Sequence, residues 1–123
     1  MPGITVKGEK QNYLFSVVEA DYDNMPDWGG VYIAVRATTM GIRIEDCVAI
    51  GSCSNFKKYA EKIRNFTEDM CTHIYLMPEF EMQKRKIALS DLMRTEAFAG
   101  VMLRTLELST KDAGPEGNQP FTF

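Results

Sequence analysis

A phenol and a guanidinium stand four residues apart in "GGVYIAVR", as Tyr32 and Arg36. The alternation of "VYIAVRA" puts Val31, Ile33 and Val35 on one side of a strand. Tyr32, Ala34 and Arg36 fall on the other, so one face goes to the core and the second carries both polar groups. Further along, "KKYAEKIR" brings Lys58 and Tyr59 together, and "CTHIYLM" alternates His73, Tyr75 and Met77 on one strand face. His73 is the sole histidine, so any histidine-dependent catalysis rests on it. No Ser-His-Asp or Cys-His grouping can be built from one such ring, and neither a phosphate-binding G-x-x-x-x-G-K-[ST] nor a G-x-G-x-x-G occurs. Cys47, Cys53 and Cys71 with His73 give C-x5-C-x17-C-x-H, which matches no standard zinc spacing. Small packed thiols are the reading they support.

These residues need elements to hold them. "QNYLFSVVEADY" (11–22) is rich in β-branched and aromatic residues and reads as a first strand. "DNMPDWGG" is a loop, "VYIAVRA" a second strand, and "CVAIGSC" a third, with Val48 and Ile50 inward and Cys47, Ala49 and Gly51 opposite. Ser54 is a candidate N-cap for a helix whose Phe56, Tyr59, Ala60, Ile63 and Phe66 recur at helical spacing. "CTHIYLM" is a fourth strand, ended by Pro78, which also suits the first turn of a helix over 78–94. That helix is apolar on two sides, with Phe80, Ile87 and Ala88 on one and Met82, Leu89 and Met93 on the other, and so is expected between two layers. Phe98, Ala99, Met102, Leu103 and Leu106 mark a last amphipathic helix. The fold expected is α+β: a small mixed or antiparallel sheet with three helices packed on it, one domain over 1–110 and a mobile tail over 111–123.

Composition bounds the partners. The chain has 123 residues, 45% of them hydrophobic, enough for one core. No apolar run approaches the roughly 20 residues that span a bilayer, and the N-terminus lacks a signal-peptide layout. A cytoplasmic protein with reduced thiols is expected. Bases cluster at 57–64 and 83–86, but the net charge of −3 disfavours nucleic acid. The eight methionines suit flexible core packing or an adaptable subunit interface.

Three phrases in order resemble the GIY-YIG nuclease family: "GGVYIAVR" its Gly-Ile-Tyr strand, "VAIGSCSNFKKYAEKI" its Tyr-Ile-Gly strand and following helix, and "EFEMQKRKIALSDLMR" its later helix. The likeness covers about residues 25–94. It implies metal-dependent phosphodiester hydrolysis, with a tyrosine activating water, an arginine facing the phosphate and a carboxylate holding one divalent cation. Tyr32 matches the first tyrosine, either pointing into a cleft or packing beside Trp28. Ala49 stands at the second, Tyr59 at the arginine and Leu89 at the glutamate, so three of the four roles are vacant. An active but divergent endonuclease would use Tyr32 and Arg36 catalytically, with Mg or Mn held by Glu79, Glu81 or Asp91.

The leading expectation is instead a non-catalytic binding module without a cofactor. Its old cleft, made apolar and aromatic, would take a small ligand, a protein segment or another copy of itself, using Tyr32, Arg36, Lys58, Tyr59, His73 and Tyr75. The metal-dependent endonuclease is the alternative. An unrelated small α+β domain is the third reading, and it carries no function.

Overall fold

The computed structural model describes residues 3–67 and 70–98 and the backbone of 107–108. Its strands are β1 (Gly3–Lys7), β2 (Asn12–Glu19), β3 (Gly30–Val35), β4 (Cys47–Cys53), β5 (His73–Pro78) and β6 (Glu107–Leu108). They form one sheet in the order β1-β2-β5-β3-β4-β6. The first five strands pair antiparallel, and the two-residue β6 runs parallel to β4. Two α-helices, α1 (Ala60–Thr67) and α2 (Met82–Met93), lie among the described residues. The α+β class and the largely antiparallel sheet are therefore present.

The sheet is buried on both faces at its centre. All six residues of β3 are buried, which an uninterrupted apolar run such as "VYIAV" permits. Val31, Ile33 and Val35 join Phe15, Tyr75, Leu89, Leu92 and Phe98 under α2. Tyr32, Cys53, Ile74 and Leu76 join Phe56, Ala60 and Ile63 under α1. Each such aliphatic or aromatic side chain removed from water contributes about 1.5–3 kcal/mol.

Several expectations need correction. β1 is not among the expected strands, because "GITVK" is short and half polar. The first helix does not begin at Ser54: residues 56–59 form turns, α1 starts at Ala60, and it is Asn55 whose Oδ1 accepts Lys58 N–H at 2.9 Å. Among the described residues no second layer covers the outer side of α2. Phe80 precedes it and is 87% exposed, and Ile87 on its outer side is 54% exposed. Its inner side carries Leu89 and Leu92 but also two buried polar residues, Arg85 and Asp91. The third helix expected from Phe98 onward falls on 99–106, outside the described residues, with Glu96–Phe98 forming one 3-10 turn before it. The expected tail at 111–123 also lies outside the described residues.

β4 carries a bulge. Ala34 pairs with Ala49 and Val35 with Cys47, so Val48 is the extra residue. The slip turns Cys47 onto the α2 face, where it packs against the core, instead of leaving it opposite Ile50.

Candidate functional site

The residues singled out from the sequence do not assemble into one cleft. Tyr32 is fully buried under α1, its ring edge-on to Phe56 at 6.3 Å in the cluster that also holds Trp28, so of its two expected placements it packs beside Trp28 and does not face a cleft with Arg36. Arg36 lies past the end of β3 and is exposed; four residues of extended chain place it about 13 Å along from Tyr32. Tyr59 is half-buried at the rim of the α1 cluster, and the exposed Lys58 ammonium lies 5.6 Å from its ring centroid. Tyr75 sits on the opposite face from Tyr32, edge-on to Phe15 at 6.4 Å. Burial, with the charge of Glu45 behind it, pushes the Tyr75 phenol above its ordinary pKa, the wrong direction for a phenolate base. His73 is half-buried at the far end of β5, its Nδ1 3.0 Å from Thr72 Oγ1.

The carboxylates are dispersed as well. Glu79 Oε2 accepts the Glu81 amide at 3.2 Å, and Glu81 pairs with Lys84 at 2.9 Å. Asp91 lies on the α2 face, where it accepts Lys10 N–H at 2.9 Å, Gln11 N–H at 3.3 Å and the Tyr13 hydroxyl at 2.9 Å. Burial pushes its carboxyl up, but those donors and the Lys10 charge outweigh it and hold the pKa below the ordinary value. The side chain ties the β1–β2 hairpin to α2. Leu89 is buried on that same face, across the sheet from Tyr32 and Tyr59. Among the described residues no three His, Cys, Asp or Glu side chains converge as a metal would require.

The concave surface with an apolar floor is elsewhere, where α1 stops short of β2. On that face of the sheet Leu14 is 67% exposed, and Ser16 and Val18 are half-buried. With Leu76, Met25 and Trp28 the last two line a groove of about 440 Å³. Its charged lining is Glu19 and Asp21. A smaller hollow of about 180 Å³ continues from Trp28 to Gly29, Pro78, Glu79 and the exposed Phe80. No Lys or Arg lines either one.

The wall of this groove is fixed before any ligand arrives. Asp21 caps the 3-10 turn Tyr22–Asn24, accepting from Asp23 N–H at 3.2 Å and Asn24 Nδ2 at 2.7 Å. Carbonyls of Pro26, Trp28 and Gly29 accept the amides of Lys57, Phe56 and Glu79 at 3.0, 2.8 and 2.9 Å. Trp28 stacks edge-on to Phe56 at 5.5 Å. The two glycines that follow Trp28 permit this approach, since a methyl on Gly29 would overlap the Ser54 carbonyl and one on Gly30 that of Met77. An aromatic wall above carboxylates suits an apolar group bearing a positive charge.

A second hollow, of about 350 Å³, lies between the β1–β2 turn and α2 and has the opposite sign. Lys10, Lys86, Ile87 and Arg94 are in its lining, and the one carboxylate there, Asp91, accepts from three donors. Both hollows are built by strands and loops far apart in the chain, and the Pro-Gly loop beside the lone tryptophan is their one signal in the sequence.

Comparison with protein-family models, curated proteins and solved structures found no match. Among the described residues no helix is long and apolar enough to cross a membrane.

Proposed function

We propose that the chain is a non-catalytic binding module, and that its ligand seat is the groove at Trp28. The observation that carries the reading is the division of the would-be catalytic positions. Tyr32, Ala49 and Tyr59 belong to the α1 face, while Leu89 belongs to the α2 face. Phosphodiester hydrolysis needs its nucleophile activator, its cation and its metal carboxylate around one phosphate. A preformed aromatic groove with carboxylates at its rim instead recognises an apolar ligand group carrying an ammonium or guanidinium.

Trp28, the lone tryptophan, reports on this seat directly. Titration with phenethylammonium should change its fluorescence saturably, and phenylpropionate should not. In parallel, supercoiled plasmid with Mg²⁺ or Mn²⁺ should remain un-nicked. Equal response to both probes, or nicking that Tyr32→Phe abolishes, would overturn the reading.

A further inference from the structure

We infer that the hollow between the β1–β2 turn and α2 is a ligand site of its own, for a small organic anion that joins one carboxylate or phosphate head to a short apolar body. It is independent of the Trp28 groove, which lies across the sheet and has an acidic lining. The hollow holds about 350 Å³, within the range of small-molecule sites. Lys10 reaches its lining from the turn and Arg94 from the end of α2, so two segments far apart in sequence bring one cation each. In a chain whose net charge is −3, that convergence runs against the overall balance.

The carboxylate in the lining does not compete for the same ligand. Asp91 is buried, and both its oxygens are taken up: Oδ1 accepts Lys10 N–H, while Oδ2 accepts Gln11 N–H and the Tyr13 hydroxyl. These bonds tie the turn to α2, so the backbones that carry Lys10 and Arg94 are held at a set spacing before a ligand arrives. A guanidinium fork meets two oxygens of a carboxylate or phosphate, and an ammonium adds a point charge. Ser90 adds a hydroxyl to the lining, and Ile87, 54% exposed, offers aliphatic surface to the apolar body.

Amide NMR shifts on the nitrogen-labelled chain test this, with phenylpropionate, phenyl phosphate and acetate as probes. Phenylpropionate should move the amides of Lys10, Gln11, Ser90 and Arg94 saturably and leave the Trp28 indole unmoved, and added salt should weaken it. Lys10→Gln and Arg94→Gln, both at exposed positions, should each weaken binding about tenfold. Ile87→Ser should weaken phenylpropionate more than acetate. Whichever of phenylpropionate and phenyl phosphate binds more tightly names the head group, and either result keeps the site. Acetate binding as tightly as the aryl anions would overturn the inference, as would no saturable shift with either of them. So would cation variants that bind like the natural chain, or phenethylammonium moving the same amides.

Discussion

Leu89→Glu restores the residue type that the family resemblance asks for, and it should give an unstable protein in place of an active one. Leu89 is fully buried in the cluster with Val31, Ile33 and Tyr75, on the face away from Tyr32. Glutamate nearly fills the same volume, so the cost is chiefly polar. A neutral carboxyl without a partner costs about 1–3 kcal/mol at such a site. Ionising it costs more, since full burial raises a carboxyl pKa by up to roughly 3–5 units, or about 4–7 kcal/mol at 1.36 kcal/mol per unit. The sign follows from linkage. The folded pKa lies above the unfolded value of about 4.3, so the smaller penalty holds below that pH. The penalty grows as pH rises toward the folded pKa and then levels off. Against a total stability of roughly 5–15 kcal/mol, the variant should be folded near pH 4.5 and close to unfolding at pH 8. Urea titration followed by Trp28 fluorescence at both pH values reads this. At pH 4.5 the midpoint should fall by about 1 M, given slopes of about 1–3 kcal/mol per M. A variant as stable as the natural chain at pH 8, or one that nicks plasmid with a metal, would refute the placement of Leu89.

Asp91→Asn should loosen the β1–β2 hairpin, seen as faster amide exchange at Lys10 and Gln11; unchanged exchange there would remove the clamp from the account. Because the Asp91 pKa is lowered on folding, its stabilisation is present above the unfolded carboxyl pKa and is lost as pH falls through the folded one. Melting temperatures of the natural chain should therefore drop more steeply in acid than those of the variant. Burial pushes the Cys47 thiol up to about 12, with the neighbouring Cys71 adding to the shift. Its iodoacetamide labelling at pH 8 should run roughly a thousandfold slower than that of an ordinary thiol, and fast labelling detected by peptide mass analysis would contradict that environment. Gly30→Ala should destabilise the chain by about 2–3 kcal/mol, measured by urea unfolding, because the added methyl overlaps the Met77 carbonyl across the β3–β5 pair.

Much of the sheet was legible in the chain. β3, β4 and β5 follow from alternation, and the partition of Val31, Ile33 and Val35 from Tyr32 is the one the two cores use. Alternation says which residues share a face, however, and not whether the second face is covered. Alternation therefore leaves Tyr32 either in a cleft or packed beside Trp28, and Phe56 and α1 close over it. The absence of any charge between Gly30 and Val35 was the hint that both sides are buried. Asp91 was legible as a carboxylate but not as a clamp, because its donors lie about eighty residues away in the chain. The Trp28 groove was hidden for the same reason: residues 16–28 meet 76–80 only once the sheet is ordered.

That order has a kinetic consequence. β2 and β3 follow one another in sequence, yet β5 lies between them and bonds to both. The β1–β2 and β3–β4 pairs can form early, as each joins strands close in the chain. Neither can dock on the other without leaving a slot one strand wide, about 5 Å to each side of the missing neighbour. Residues 73–78 fill that slot only after some twenty more residues have followed β4, and they close the loop that later walls the groove. Until then two sheet edges stand open at once, which makes the arrival of β5 the slow, aggregation-exposed step of folding.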